Sequence, residues 1–345
     1  MSITKAILVG SVVGMVAPAA SWAQEMTTIN LINPLPRSTI FYPLIAREAL
    51  GYFEEEGIEV NLLPSETSIP YVAFLENGQA DLAILDPNET LAAVTAGASL
   101  GTIYEVNQRA PEGIAVSAAS ETQSMAELED TTVGLVADRD RNFLAQALEA
   151  EGLTIEDVDT VVVGGSGPTL AAAFRDQTVS AISGASSDWL ALQANGIEVR
   201  MITPESLLRN PANSFAINTD RLDELRDPVE GFLRAWSKGA YVAEVNRDVL
   251  AEISRRAVPA EWEDEEFGQG FLAVAIDITV PLTELHGDLQ LEAWEGLQPG
   301  LLKVGAIDTE IPVETFLDDS FIAPANDWSR EEVAAEVQAW ADENM

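Results

Sequence analysis

Apolar segments with the spacing of strands and of helices alternate along the chain from Met26 onward, and this alternation constrains the fold more than any other feature. Residues 28–32 and 58–63 have the composition of strands, and residues 41–50 between them have apolar side chains at helical spacing. Alternation of this kind is typical of a mostly parallel sheet covered by helices on both faces. The sequence therefore predicts an α/β fold.

The plan of the first third of the chain recurs in its middle. Segments 74–86 and 174–188 each contain a helix ending in Phe, a polar turn with Gln79 or Gln177, an apolar strand, and an acid that begins the next helix. A further strand, buried within its sheet, is expected at residues 161–163. We therefore expect two lobes that are variations on one unit.

Two proline-containing segments, at residues 104–116 and 201–218, are expected to connect the lobes. Beyond them the chain is expected to be helical. Pro228 is well placed to open a helix over residues 229–245, and an amphipathic helix is expected at residues 247–257. Dihedral changes at the two connections would close the lobes around a ligand.

The first 23 residues have the features of a secretory signal peptide. Lys5 provides a basic start, residues 6–20 are mostly apolar, and Ser21 and Ala23 are small residues at the positions that a signal peptidase checks. The alternative, a retained anchor, needs a longer apolar run than this one. We expect export, with Gln24 as the first residue of the mature chain.

Composition excludes several classes of function. The chain has no cysteine, which rules out disulfides, thiolate metal sites, and a lipid anchor on an N-terminal cysteine. Its formal net charge of −39 would repel nucleic acid and anionic lipid surfaces, and indicates a solvated acidic surface suited to salty surroundings. A free protein in the periplasm is therefore expected, with no nucleic-acid partner.

Two motifs carry a resemblance to a known family. They are GYFEEEG at residues 51–57, which follows a helix and precedes a strand, and NGQAD at residues 77–81, which leads into another strand. In this order they resemble the first lobe of the solute-binding proteins of ABC importers, in the family that captures nitrate, alkanesulfonates, taurine and the pyrimidine precursor of thiamine. The resemblance covers residues 30 to about 258.

The resemblance implies the bilobal type II periplasmic binding fold, with two parallel or mixed sheets flanked by helices and joined by a hinge. A signal peptide would occupy residues 1–23, a discontinuous first lobe residues 24–112 and 211–345, and an inserted second lobe residues 113–210. The helices after Asn218 would pack on the first lobe, as they do in the family.

A ligand is expected outside the carboxyl ends of the parallel strands, where the N-termini of helices also converge. Loops at these positions in both lobes are rich in Ser, Thr, Asn and Gly, whose hydroxyl, amide and backbone N–H groups bind small polar ligands. The candidate ligand-binding residues are Arg37, Ser38, Thr39, Phe41, Tyr42, Ser65, Glu66, Thr67, Asp86, Asn88, Arg139, Asn142, Gly165, Ser166, Ser186, Asp188 and Trp189.

Each type of candidate residue also has a purely structural interpretation. Trp189 and Tyr42 would stack on a flat ligand or, equally well, pack in the core. Asp86 is placed to cap a helix, and it would also accept a hydrogen bond from a ligand amine, facing Trp189 across the cleft. The arginines suit a carboxylate or sulfonate, but they would also pair with surface acids.

These features lead to an extracytoplasmic receptor that captures a small polar organic nutrient and delivers it to the membrane permease of an ABC importer. The ligand is expected to carry an amine or N-heterocycle, and the sequence does not decide whether it also carries an acidic group. Sulfonates and the thiamine precursor are both candidate ligand classes. No cofactor and no metal are expected, and we expect a monomer.

Two other functions stay open at this point. A receptor that reports its ligand to a sensor kinase or chemoreceptor would have the same fold. The family also includes a yeast enzyme of pyrimidine synthesis, which consumes a histidine and relies on a cysteine-containing motif and a lysine-bound cofactor. This chain has no cysteine, and its one histidine, His286, lies outside the expected cleft loops. A non-enzymatic role is therefore favoured.

Overall fold

The computed structural model describes residues 26–34, 37–64 and 71–345. The expected signal peptide lies outside these residues. The strands of the described part are β1 (Thr27–Ile32), β2 (Ile58–Leu62), β3 (Leu82–Leu85), β4 (Leu100–Glu105), β5 (Glu112–Ser117), β6 (Thr132–Leu135), β7 (Asp159–Val162), β8 (Ala181–Ala185), β9 (Val199–Met201) and β10 (Ser214–Asn218).

Helices alternate with these strands along the chain and flank the sheets, as the sequence predicts. They are α1 (Tyr42–Leu50), α2 (Tyr52–Glu55), α3 (Tyr71–Glu76), α4 (Pro87–Thr95), α5 (Asp140–Glu149), α6 (Gly167–Arg175), α7 (Ser186–Ala194), α8 (Leu222–Val245), α9 (Arg247–Ala257), α10 (Glu265–Thr279), α11 (Leu291–Lys303), α12 (Ile322–Ala325) and α13 (Arg330–Asn344). No helix in the described ranges is long and apolar enough to cross a membrane.

The strands form two mixed sheets of the same design, with orders β2-β1-β3-β10-β4 and β7-β6-β8-β5-β9. In the first sheet β1 runs parallel to β2 and β3, and β10 is antiparallel to β3 and β4. In the second, β6 runs parallel to β7 and β8, and β5 is antiparallel to β8 and β9. This is the two-lobe periplasmic binding fold that the sequence indicates.

The antiparallel strand of each sheet arrives directly from the other sheet. Strand β5 enters the second sheet after residues 106–111, and β10 enters the first sheet after residues 202–213. The two linkers are therefore shorter than the connections expected from the prolines, because the ends of those segments are strand residues. The lobe boundaries at residues 112 and 211 stay a prediction, which limited proteolysis would test.

Two local expectations were wrong. Val161 and Val162 lie in β7, which is an edge strand, and their side chains are 42% and 53% exposed. Pro228 lies inside α8, which begins at Leu222. A proline at this position costs the helix one backbone hydrogen bond, and the long buried face of α8 offsets that cost.

The core of the first lobe forms where α8 crosses the sheet. Phe215 of β10 makes edge-on contacts with Phe232 and Trp236 of α8, at centroid distances of 5.3 and 4.8 Å. The fully buried Arg47 of α1 has its guanidinium 3.0 Å from the ring centroid of Phe53. Burial lowers the pKa of this arginine well below its usual value. The same guanidinium lies 5.0 and 5.3 Å from the ring centroids of Phe232 and Trp236, so Arg47 also joins α1 to α8.

Gly239 permits the close approach of α8 to α1, and its substitution tests that contact. A Cβ added at Gly239 would lie 2.5 Å from the backbone oxygen of Pro43, so Gly239→Ala is expected to lower the free energy of unfolding by about 1–3 kcal/mol. In Gly296→Ala, the matched helical control, the new Cβ meets nothing within 4 Å, and we expect a gain of about 0.5–1 kcal/mol. Urea denaturation measures both, and equal effects would contradict the proposed contact.

Candidate functional site

A cavity of about 510 Å³ lies between the two lobes. Its walls include residues that follow the carboxyl ends of parallel strands in both sheets, such as Asp86 after β3, Arg139 after β6 and Gly165 after β7. This is where open α/β sheets hold their ligands. We therefore take this interlobe cleft as the candidate site.

A second cavity, of about 790 Å³, is larger but does not meet the carboxyl ends of the parallel strands. It is lined by the linkers around Arg109 and Arg209, together with Leu289 and residues at the start of α11. Cavity size alone does not identify a binding site, and convergence of strand ends and helix N-termini is the better guide.

Apolar side chains from both lobes form one part of the cleft wall. Phe41 precedes α1, Ile84 belongs to β3, and Phe143 lies in α5. Phe267 and Phe271 of α10 stack on each other with a centroid distance of 5.7 Å, and both contribute to the wall. Aromatic faces suit a flat ligand because they stack on it at low entropic cost.

Three aspartates stand at the N-termini of helices that face the cleft. Oδ1 of Asp86 accepts a hydrogen bond from the backbone N–H of Glu89 at 2.8 Å, which caps α4. Oδ2 of Asp140 accepts one from Ala137 at 2.6 Å, and Oδ2 of Asp188 accepts one from Ala185 at 2.8 Å. All three line the cavity. These helix ends already carry their own negative groups, because the macrodipole favours an anion there.

Two glutamates and one arginine complete the charged part of the wall. Glu89 lies in the first turn of α4, Glu112 is the first residue of β5, and Arg139 directly precedes α5. The cleft therefore collects carboxyl groups from both lobes and from the strand that connects them. Arg139 is exposed, and it is close enough to lower the pKa of the surrounding carboxyl groups.

Burial raises the pKa of the cleft carboxyl groups despite Arg139. The pKa of Glu112 rises to about 7, first through burial and then through repulsion from Asp86 and Asp140. Glu89 also rises to about 7, through burial and repulsion from Asp86. Burial raises the pKa of Asp140 to about 6. It also raises the pKa values of Asp86 and Asp188. Glu89 and Glu112 are consequently only partly ionised near neutral pH.

The two linkers meet at the cavity wall. The backbone oxygen of Asn213 accepts hydrogen bonds from the N–H groups of Val106 and Asn107, at 2.9 and 3.1 Å. Asn107 is 3% exposed and lines the cavity together with Asn213. Within the described residues the side-chain oxygen Oδ1 of Asn107 has no hydrogen-bond partner. A buried acceptor of this kind is costly to leave unpaired.

Helices of the first lobe also contact the second lobe. Leu190 of α7 lies against Gly270 of α10, where an added Cβ would come within 2.9 Å of the leucine side chain. Lys303 of α11 forms an ion pair with Glu149 of α5. The lobes are therefore in contact across the cleft in this structure.

Seven of the candidate residues line the cleft, and they come from both lobes. They are Phe41, Asp86, Asn88, Arg139, Gly165, Ser186 and Asp188. The hydroxyl of Ser186 donates to the backbone oxygen of Pro111 at 3.2 Å, which fixes it against the first linker. These seven remain our proposed ligand-binding residues.

Tyr42 and Trp189 lie in the hydrophobic core instead. The hydroxyl of Tyr42, which is fully buried, donates to the backbone oxygen of Ala240. Trp189 packs on the second sheet, where its ring lies 3.3 Å from a Cβ added at Gly184. The neighbouring Asp188 points to the cavity in its place, so Trp189 does not face Asp86 across the cleft.

The remaining described candidates lie outside the cleft lining. The side chain of Ser38 donates to Glu261 at 2.7 Å, and the backbone N–H of Thr39 donates to the same carboxylate at 2.8 Å. Arg37 forms a surface ion pair with Glu48. Asn142 and Ser166 are exposed at the starts of α5 and α6. Ser65, Glu66 and Thr67 lie outside the described residues.

The sequence did not single out several residues that line the cleft. Glu89 and Glu112 are two of them, and they lie beside the strand-end acid Asp86 that the sequence did indicate. Phe271 lies in α10, beyond the region of resemblance, and no local pattern shows that this helix returns to the cleft. Among the described residues no group of three or more His, Cys, Asp or Glu is placed to hold a metal ion.

Comparison with known proteins places the chain in a family and a fold. A family model described as NMT1/THI5 like matches residues 38–246. The riboflavin-binding protein RibY of Chloroflexus aurantiacus is 24% identical over 247 residues, which is 70% of each chain.

Solved structures share the fold at low sequence identity. The periplasmic aliphatic sulphonate binding protein SsuA of Escherichia coli is 15% identical, with a TM-score of 0.65 over 84% of this chain and 91% of its own. The desulfurization enzyme DSZB is 16% identical, with a TM-score of 0.60 over 86% of this chain and 98% of its own. The fold thus occurs in both binding proteins and an enzyme.

The raised pKa of Glu112 predicts a pH-dependent stability of the ligand-free protein. Because the folded-state pKa of about 7 lies above the ordinary value of 4.5, the contribution of Glu112 to stability is complete below 4.5 and is lost as pH rises through 7. Glu112→Gln is therefore expected to raise Tm by a few degrees at pH 8 and to give no such gain near pH 4.5. Scanning calorimetry measures the Tm of Glu112→Gln at both pH values, with exposed Glu314→Gln as the control. Equal shifts of Tm in the two variants would contradict the predicted effect of Glu112.

Proposed function

The chain belongs to the NMT1/THI5-like family, and on that premise we propose that it is an extracytoplasmic solute-binding receptor of an ABC importer. In this proposal the two lobes hold a small polar organic molecule between them and deliver it to a membrane permease. The observation that carries the proposal is the cavity of about 510 Å³ where strand ends of both sheets meet.

The proposed mechanism is a hinge. Residues 106–111 and 202–213 connect the sheets, and Asn213 bonds the two linkers to each other by backbone hydrogen bonds. Rotation at these few residues would open the contacts between α7 and α10, and between α5 and α11, and would expose the cleft. A bound ligand that contacts both lobes stabilises the closed arrangement, because it binds that arrangement more tightly.

Export to the periplasm is part of the proposal. It is supported by the secretory features of the first 23 residues and by the periplasmic setting of the protein that shares the fold. We propose that the protein acts as a monomer with the permease as its partner. Mass spectrometry of exported protein, with Gln24 expected as its first residue, would test the processing step.

Capture without chemical conversion is the second part of the proposal. The single histidine, His286, is buried beside the rings of Tyr241 and Trp328 in the first lobe and is not among the residues that line the cleft. The chain has no cysteine to act as a nucleophile. The side chains that line the cleft are those of a polar binding site with apolar walls, which suits a receptor.

The proposed ligand carries an amine or an N-heterocycle. The aromatic walls of the cleft suit a flat molecule, and RibY, which is named for riboflavin binding, offers a precedent for a flat N-heterocycle in a relative. SsuA, which shares only the fold, is named for sulphonates. The ligands for which these two proteins are named differ in charge. The charge of this cleft is therefore the feature that distinguishes an N-heterocycle or amine from a sulfonate as its ligand.

Ligand binding with closure is the test of the proposed function. A thermal-shift screen of amines, N-heterocycles including riboflavin, sulfonates and carboxylates is expected to identify a ligand that stabilises the protein by about 2.7 kcal/mol at one hundred times its Kd. Small-angle scattering should then show a smaller radius of gyration with the ligand, and mass spectrometry should recover the ligand unchanged. Tight binding without compaction would contradict the hinge, and conversion of the ligand would contradict the receptor.

A further inference from the structure

We propose that the solute held in the interlobe cleft is an organic cation with a flat, mostly apolar body. This inference rests on the proposed function and deepens it by naming the charge of the ligand. The positive group would lie among the cleft carboxylates, and the flat body would lie against the aromatic wall.

The charge of the cleft is the first observation that supports a cation. Five carboxyl groups line it, and Arg139 is the one basic side chain among the described residues that line it. The carboxyl groups belong to Asp86, Glu89, Glu112, Asp140 and Asp188. One guanidinium cannot balance five carboxyl groups as they ionise, and a neighbouring positive group favours their ionised form, so the cleft favours a cation over a sulfonate or carboxylate.

The second observation is that carboxylates of the chain itself stand at the helix starts that face the cleft. Free N–H groups at a helix N-terminus are what usually binds an anionic ligand. Here Asp86 accepts the N–H of Glu89 in the first turn of α4. Asp140 and Asp188 lie in the first turns of α5 and α7, and they accept the N–H groups of Ala137 and Ala185 just before those helices. An incoming anion would therefore meet a carboxylate of the chain at each of these helix starts.

The third observation is independent of charge and comes from the linker. Asn107 is 3% exposed, lines the cavity, and has a side-chain oxygen without a hydrogen-bond partner in the described residues. An acceptor in this condition calls for a donor from the ligand, because leaving it unpaired costs free energy. An ammonium, a protonated ring nitrogen or an amino group on a ring supplies such a donor.

A bound metal ion does not fit the same observations. The described residues contain no cluster of three or more acids or histidines placed to hold a metal ion. The carboxylates are spread over elements of both lobes, and the wall beside them includes the stacked rings of Phe267 and Phe271. Distributed charge beside aromatic faces suits a larger cation that makes cation–π contacts.

The inference predicts the sign of a proton exchange that accompanies binding. The ionisable groups that line the cleft are the five carboxyl groups and the guanidinium of Arg139. At pH 7 several of these carboxyl groups share protons, so a bound cation lowers their pKa values and expels protons into the buffer. A bound anion would have the opposite effect and would draw protons in.

The experiment uses the mature protein and sets of probes that share a flat body. Within each set one probe carries a positive group, one a neutral hydroxyl and one a negative carboxylate. One triplet is tryptamine, tryptophol and indole-3-acetate, and a second is benzylamine, benzyl alcohol and benzoate. Titration calorimetry at pH 7 in two buffers of different ionisation enthalpy gives the Kd and the protons exchanged for each probe. The cationic member is expected to bind at least about tenfold more tightly than its neutral partner, with proton release.

Variants show whether the acids set this preference. Glu89→Gln and Glu112→Gln keep the size of the side chain and remove its charge, and each is expected to weaken binding of the cationic probe about tenfold while changing binding of the neutral probe little. Exposed Glu314→Gln is the control and should leave all three affinities unchanged. A purely structural role of the acids would weaken the cationic and neutral probes equally, which would overturn the inference.

The possible outcomes separate the inference from the proposed function. If the solute screen finds a ligand that closes the lobes but the ligand is an anion or a neutral molecule, the receptor stands and the cation is overturned. The same holds if an anionic or neutral probe binds more tightly than its cationic partner, or if binding takes up protons. If no probe and no screened solute binds, the proposed function fails and the inference fails with it.

Discussion

The exchange of strands between the sheets is the constraint on which the rest of the structure depends. Strand β5 completes the second sheet directly after leaving the first, and β10 completes the first sheet directly after leaving the second. Each sheet is therefore joined to the other through two short linkers that are bonded to each other at Asn213. This connection sets the carboxyl ends of the parallel strands of both lobes around one cavity, which creates the cleft, and the two linkers are the hinge that we propose.

The chemistry of the cleft follows from what these strand ends carry. Helices that begin at the cleft carry aspartates at the N-cap or in the first turn, which suits the helix dipole locally but brings like charges together where the helices converge. Glu112 joins them because β5 begins at the cavity wall. The result is a partly buried group of carboxyl groups whose pKa values are raised by burial, and this group is the basis for the proposed cationic ligand.

The same fold occurs in proteins that are named for other ligands and activities. The chain shares its architecture with a sulphonate-binding protein and with a desulfurization enzyme at 15–16% identity, so the fold alone does not select the ligand. We propose that the side chains at the strand ends make that selection in this chain. Their charge, the aromatic rings of α10 and the unpaired oxygen of Asn107 are properties of this chain, and they support the proposed class of ligand.

The sequence by itself determined the alternation of strands and helices and the repeat of one unit in two lobes, because periodicity, helix caps and turn glycines are local features. It did not determine which side of a loop each side chain faces: Trp189 entered the core, and Asp188 beside it reached the cleft. The exposure of Val162 on an edge strand depended on strand order, which no single segment encodes. Only the tertiary structure brought Glu112 and Phe271 to the same cavity as Asp86, because such contacts between distant segments form when the sheets and the later helices pack together.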